Sequence, residues 1–284
     1  MLELTLEELP EFIREIPSPP KQLFCLGADL LELLKLPRVA IVGTRNPTTY
    51  GSQATKELAS KLAAQGVVIV SGLAYGVDAI AHEAALEAGG RCIAVLPSPL
   101  DNIVPVANRA LAEEILEKGG ALVSEYTPGT LPAVQNFIAR NRLVTALSDA
   151  VVVTEASIKS GTRHTVKFAE EQGGTILAVP GSIYVANQAG TNEFIKNQKA
   201  QAITSYQDVL NELKLHFHDT HVREVKGSNR NEQTILDLML QGVSNGDKLL
   251  ESSGLDISKF NQALVMLEIS GKVRALGMNH WAIA

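Results

Sequence analysis

The chain has 284 residues, 45% of them hydrophobic, enough for one α/β domain of moderate size with a smaller companion and too apolar for a disordered chain. No apolar run approaches the roughly 18 residues of a membrane helix, and the acidic N-terminus lacks the basic head of a signal peptide. The formal net charge is −6, which argues against a broad basic face for a polyanion.

The acidic excess sits mainly in residues 1–35, which carry 3 basic and 7 acidic side chains, whereas residues 36–210 carry 14 and 15, and residues 211–284 carry 8 and 9. Any site for a polyanion is therefore expected to be a local basic pocket. Cys25 and Cys92 have no motif spacing, which predicts free thiols and a cytoplasmic protein.

Residues 1–37 read as a lead-in segment packed on the main domain. They hold one amphipathic helical stretch, "TLEELPEFIREI", interrupted by Pro10, then a strand "KQLFCLG" and a brief helix "ADLLELLK". From residue 38 to 210 one unit recurs: a short apolar strand, a Gly/Ser/Asn turn, and a helix-period stretch. "RVAIVG", "VVIVSG", "RCIAVLP", "ALVSEY", "DAVVVTEA" and "TILAVPG" are the strands. Apolar strands without alternation are buried on both faces, as in a parallel sheet flanked by helices. Glycines at Gly66, Gly89/Gly90, Gly119/Gly120 and Gly173/Gly174 mark the helix ends. The expectation is an α/β fold, an extended Rossmann-like doubly wound parallel sheet.

Residues 211–229 lose the pattern and read as a linker. Residues 230–284 offer three short helices and a terminal hairpin, with Trp281 in the hairpin's core, which predicts a small C-terminal winged-helix domain.

Open parallel sheets bind ligands outside the carboxyl ends of their strands. Here those ends carry polar or glycine turns, among them Gly43-Thr44-Arg45, the turn beginning at Ser71-Gly72, Glu125, and Glu155. Helix N-termini at such an edge welcome anions without large net charge. A dinucleotide site is not expected, because the second and third fingerprint glycines are missing and no carboxylate ends the second strand. No Walker P-loop is present either.

"NFIARNRLVTALSDA" places Arg140 and Arg142 two residues apart, just before a helix-like stretch. Arginines suit bidentate phosphate contacts, although an isolated pair is more often surface charge. "EASIKSGTRHT" presents Lys159, Ser160, Gly161 and Thr162 before a helix, the composition of an anion-binding turn. Asp78 and His82, four apart, suit a structural role better than an acid–base pair or a metal site. His216, His218 and His221 have loose metal-like spacing inside the linker, where chance accounts for it. Glu125 and Glu155 stand at strand ends as an acid–base pair or as braces for the arginines.

"VAIVGTR", "SGLAYGVDAIAHEAAL", "IAVLP", Asn108, "GALVSEYTPGT", "FIARNR", "VVVTEASIKSG" and "AVPGSI…AGTN" occur in order. Together, over residues ~18–210, they resemble the DNA processing protein A (DprA/Smf) family. The resemblance implies a single-stranded DNA-binding protein without catalytic activity or cofactor, generally a homodimer, that protects incoming DNA and loads RecA recombinase during natural transformation. By motif, Arg45, Arg140 and Arg142 would hold phosphates, with Lys159 as a further candidate. Gly43, Thr44, Gly72, Asn141, Ser160 and Gly161 would shape the pocket or donate backbone N–H groups. The family's frequent N-terminal helical domain is expected to be missing or reduced, since there is no room for it before residue 18.

Departures from the family pattern fall at Ile138, in place of proline, at Pro97, in place of glycine, and at "KSGTRHTV", which adds Arg163 as a possible phosphate contact. The competing expectation is a nucleotide-binding or nucleotide-hydrolysing enzyme of a related Rossmann-like family, whose "PGGxGTxxE" motif is absent. In the winged helix, Ser258, Lys259, Asn261 and Gln262 are offset by Asp256 and Glu268, thin equipment for reading a duplex.

Overall fold

The computed structural model describes residues 1–214, 227–240, 243–277 and 279–283. The chain divides into two units, Met1–Phe217 and His218–Ala284. Most of the expected linker, with His216, His218 and His221, lies outside the described residues.

In the first unit the order is β1 (Leu2–Thr5), α1 (Glu11–Arg14), β2 (Gln22–Gly27), α2 (Leu30–Leu33), β3 (Arg38–Val42), α3 (Thr49–Ala64), β4 (Val68–Ser71), α4 (Val77–Glu87), β5 (Cys92–Val95), α5 (Arg109–Glu117) and β6 (Ala121–Ser124). It continues with α6 (Val134–Ala146), β7 (Ala150–Val153), α7 (Thr162–Glu171), β8 (Thr175–Ala178), α8 (Ala189–Lys196), β9 (Gln201–Ala202) and α9 (Tyr206–Glu212). One nine-stranded sheet runs in the order β1-β2-β6-β5-β4-β3-β7-β8-β9. From β6 to β9 every pairing is parallel.

Side chains alternate between the two faces of a strand, and helices cover both faces here, which explains why the middles of these runs are apolar. Val39 and Ile41 of β3 pack into one layer with Leu58 and Leu62 of α3 and Ala81 of α4. Ala40 and Val42 pack into the opposite layer with Leu143 of α6 and Val166 of α7. Both faces are covered, so every position on the strand is interior. Fully burying a side chain such as Ile41, Leu62 or Ile93 contributes about 1.5–3 kcal/mol over leaving it exposed. The helices stop at the expected glycines, as at Gly66 (φ 79°) and Gly173 (φ 68°), whose left-handed conformation costs a residue without Cβ little.

The N-terminal segment differs from expectation. Leu2–Thr5 forms a strand, and Pro10 separates a 3₁₀ turn at Leu6–Glu8 from α1, because proline fits the start of a helix and not its interior. β2 pairs antiparallel with β6, and β1 antiparallel with β2, so this segment extends the sheet itself. Leu4, Ile13, Leu23 and Leu30 enter the main core. The junction is fastened by Arg38, whose guanidinium pairs with Asp149, donates to the Leu34 carbonyl at 2.7 Å and lies 5.3 Å from the Phe12 ring.

The second unit contains α10 (Arg230–Leu240), α11 (Gly246–Ser253), α12 (Ile257–Ile269) and the hairpin β10 (Val273–Gly277) and β11 (His280–Ile283). Asn245 and Asp256 cap α11 and α12 through their side chains, and Gly254 ends α11 in a left-handed conformation. Ile235, Leu249, Phe260 and Leu267 form its core, with Trp281 packed against it. This is the winged-helix arrangement.

Neighbours of β3 are β4 on one side and β7 on the other, so the chain reverses its winding direction there. Such a switch point opens a crevice at the carboxyl ends of the two strands.

Candidate functional site

A cavity of about 370 Å³ occupies that crevice. It is walled by the loop after β3 (Gly43, Thr44, Arg45), the loop after β4 (Gly72, Ala74), the start of α7 (Ser160, Gly161, Thr162) and one face of α6 (Phe137, Arg140, Asn141, Val144).

The β3 loop is held from several sides. The Thr44 N–H donates to the Glu155 carbonyl at 2.8 Å, and the Thr44 carbonyl accepts from Val77 N at 3.1 Å. Glu155, fully buried, accepts from Thr48 N at 2.7 Å, Thr48 Oγ1 at 2.6 Å and Gln188 Nε2 at 3.1 Å. Thr48 in turn caps α3. A Cβ on Gly43 would come within 2.7 Å of Val77 Cγ2 and 2.8 Å of the Glu155 carbonyl, so the loop's single glycine is needed for its packing on α4.

The β4 loop is equally constrained. Leu73 is buried with φ 55°, a left-handed conformation that costs a branched residue of order 1–3 kcal/mol. Asn108 braces the turn by donating from Nδ2 to the carbonyls of Leu73 (2.8 Å) and Ala74 (3.2 Å). Asp78 accepts from the N–H groups of Gly72 (3.1 Å) and Ala74 (3.4 Å), which is the structural role its position on α4 suggested.

Arg140 forms part of the cavity wall, and it is 3% exposed. Its Nη1 donates to the carbonyls of Gly72, at 2.5 Å, and Val95, and its Nε to Asn141 Oδ1 at 3.2 Å. A Cβ on Gly72 would collide with this guanidinium, so that glycine makes room for a buried cation. Burial lowers the Arg140 pKa to about 10, partly offset by the Asp78 carboxylate, and the group remains charged at neutral pH. Burial raises the pKa of Asp78, against the opposing pull of Arg140.

Arg45 is different in kind. It is exposed at the mouth, with its guanidinium 5.4 Å from the Phe137 ring and no ion-pair partner among the described residues.

The structure thus gathers Gly43, Thr44, Arg45, Gly72, Arg140, Asn141, Ser160 and Gly161 around one cavity, and leaves Arg142, Lys159 and Arg163 out of its wall. Arg142 lies inside α6, not before a helix as expected, and two residues along a helix turn the side chain to the opposite face. There it forms an ion pair with Glu125 at 2.5 Å. Lys159 is exposed on the neighbouring turn. Arg163 pairs with Glu193 at 2.6 Å and lies 5.9 Å from the Phe194 ring. Of the two strand-end carboxylates, Glu125 braces an arginine, and Glu155 braces the β3 loop.

Sequence reading missed Phe137, Ile138, Val144 and Thr165, which also line the cavity. The helical spacing of Phe137, Arg140, Asn141 and Val144 is the signal that would have found most of them once α6 was extended back to Val134.

His82 is fully buried, and no side chain among the described residues hydrogen-bonds its ring. Burial, reinforced by Arg140, lowers its pKa to about 3. Below pH 6.5 the unfolded chain therefore binds a proton that the folded chain refuses, and stability falls with pH until about 3. Urea melts of His82→Leu against the unsubstituted protein between pH 7 and 4 should show a shallower acid loss for the variant; parallel curves would contradict the assignment. Among the described residues no cluster of His, Cys, Asp and Glu could hold a metal ion.

In the second unit, the exposed residues of α12 include Ile257, Val265, Met266 and Ile269, and Lys259 pairs with Asp256 at 2.7 Å. No helix among the described residues is long and apolar enough to cross a membrane.

The profile of the family described as DNA recombination-mediator protein A matches residues 1–214, and that of the DprA winged helix domain matches residues 223–277. The chain is 39% identical over 212 residues to the DNA processing protein DprA of Bacillus subtilis, covering 75% of this chain and 70% of that protein. It is 43% identical over 208 residues to the Protein Smf of Synechocystis, covering 72% of this chain but only 52% of the relative. A solved structure of DNA processing protein A from Helicobacter pylori, reported for its single-stranded DNA binding mode, superposes with a TM-score of 0.68 at 40% identity. It covers 76% of this chain and 97% of that one.

Proposed function

The chain belongs to the DNA recombination-mediator protein A (DprA/Smf) family, and on that premise we propose that it binds single-stranded DNA with a backbone phosphate in the cavity at the switch point. The observation that carries this reading is Arg45, a guanidinium without an ion-pair partner among the described residues, at the mouth of a cavity whose own wall holds a second, buried cation. Arg45 supplies the direct phosphate contact. Arg140 serves from within, fixing the ends of β4 and β5 through their carbonyls and adding positive potential behind the ligand. Gly43, Thr44, Gly72, Asn141, Ser160 and Gly161 shape the space around the phosphate. Lys159 stands outside the wall, where it suits an adjoining phosphate of the same strand. Arg142 acts only through its brace with Glu125, and Arg163 is committed to α8.

The proposal is of binding without catalysis. The carboxylate that faces the cavity, Asp78, is engaged with two backbone N–H groups, and Glu155 is consumed in holding the β3 loop. Neither is disposed to act on a substrate, so a nucleotide-hydrolysing enzyme is the less favoured reading. Protection of incoming single strands, loading of RecA, homodimer formation and a cytoplasmic setting are parts of the same proposal and rest on family membership.

Titration with oligo-dT, a duplex of equal length and AMP tests it. Oligo-dT should bind at least tenfold more tightly than the duplex, and AMP should be neither hydrolysed nor an effective competitor. Release of adenine or adenosine from AMP, or a preference for the duplex, would overturn the proposal.

A further inference from the structure

Three of the side chains that wall the cavity at the switch point are charged: Arg45, Arg140 and Asp78. Two cations and one anion leave a net charge of +1 around a space whose other polar groups, such as Asn141, Ser160 and Thr165, are neutral.

Asp78 and Arg140 face each other across Gly72. A Cβ at that glycine would lie 2.7 Å from Asp78 Oδ2 and closer still to the guanidinium, so the missing side chain lets both charges reach the wall. Neither charge is consumed by the other. Arg140 donates to the carbonyls of Gly72 and Val95 and to Asn141, and the Asp78 carboxylate accepts from the N–H groups of Gly72 and Ala74. Around that carboxylate stand Arg140 on α6, the Ser71 hydroxyl at the end of β4, and His82 one turn along α4, whose pKa of about 3 leaves it neutral. Arg45, on the β3 loop, completes the charged groups of the wall.

We propose that Asp78 sets the charge class of the ligand: its carboxylate matches the cavity to a monoanionic phosphodiester and turns away the dianionic phosphomonoester of a free nucleotide or a phosphorylated strand end. The inference rests on the proposed phosphate site and deepens it. A diester inside a strand carries one negative charge, which two cations and one carboxylate balance. A monoester has a second pKa of about 6, so above neutral pH it carries a second charge. No cation in the wall remains to meet that charge, since Lys159 stands outside it. The second charge is instead brought up to a buried carboxylate, and like charges placed together oppose binding. The cavity is thereby directed to the interior of a strand, and free mononucleotides do not fill it although each carries a phosphate.

Thymidine 5′-phosphate and its methyl diester differ by one methyl group and one charge, and their displacement of labelled oligo-dT from the full chain tests the role of Asp78. At pH 8 the diester should bind at least about fivefold more tightly, a modest share of what a like charge at close range costs. At pH 5.5 the monoester is largely monoanionic, and the two should bind within about twofold of each other. Asp78→Asn, which keeps an acceptor oxygen for the Gly72 and Ala74 N–H groups, should reverse the order seen at pH 8. The pH comparison on the unsubstituted protein decides the matter even where that variant does not fold. Equal binding of the two esters at pH 8, a preference for the monoester there, failure of the diester to displace oligo-dT, or an unchanged order in folded Asp78→Asn would overturn the role of Asp78. Any of these together with loss of oligo-dT binding in Arg45→Ala leaves the phosphate site standing. Insensitivity of oligo-dT binding to Arg45→Ala would remove the phosphate site, and this inference with it.

Discussion

Arg140→Met should cost the first unit about 3–5 kcal/mol of stability, the scale expected when one member of a buried, hydrogen-bonded charge arrangement is removed. The guanidinium satisfies the carbonyls of Gly72 and Val95, at the ends of neighbouring strands, and balances the buried Asp78 carboxylate. Methionine fills the volume but takes a charged donor from two interior carbonyls and leaves an acid without its cation. Arg140→Lys should recover only part of the loss, since one ammonium cannot reproduce the planar fork that reaches the carbonyls and Asn141. Urea melts followed by circular dichroism measure both. A variant Arg140→Met as stable as the unsubstituted protein would show that the buried cation is not a fastening of the sheet edge.

That expectation separates two roles which "RNR" leaves merged. In the sequence, Arg140 and Arg142 are equivalent charges two positions apart. In the helix they face opposite ways, one into the cavity wall and one toward Glu125. Sequence reading assigned phosphates to both because it began the helix after them, and the direction of a side chain follows from the helix register rather than from residue type. Arg163 illustrates the same limit: its neighbour Glu193 comes from α8, and no local pattern announces that pairing.

The sheet was far more legible. Strands such as Val39–Val42 are apolar at every position because both faces are covered, and that signal survives without any knowledge of neighbours. The edge was harder. β1 is a four-residue strand with only Leu4 buried, and β9 has two exposed residues, so neither carries a burial pattern long enough to read. The winged helix was legible from its three short helices and its terminal hairpin.

Arg45→Ala is the counterpart to the Arg140 variant, with the effects reversed. Arg45 is exposed and its guanidinium lies over the Phe137 ring, so stability should change by no more than about 0.5 kcal/mol. Affinity for oligo-dT should fall by roughly 10- to 150-fold, the equivalent of one charge-assisted hydrogen bond of about 1.5–3 kcal/mol. A fold-preserving variant with a large binding loss identifies a ligand contact; the Arg140 variant, which weakens the fold, does not by itself.

The central claim is that Arg45 neutralises a phosphate of a single strand, and salt dependence tests it most directly. Each phosphate contact on a single strand contributes about 0.7 to the slope of log K against log salt concentration. Oligo-dT affinity measured over a range of salt for the unsubstituted protein and Arg45→Ala should give slopes differing by about 0.7, with the variant shallower. Identical slopes and affinities would contradict the account.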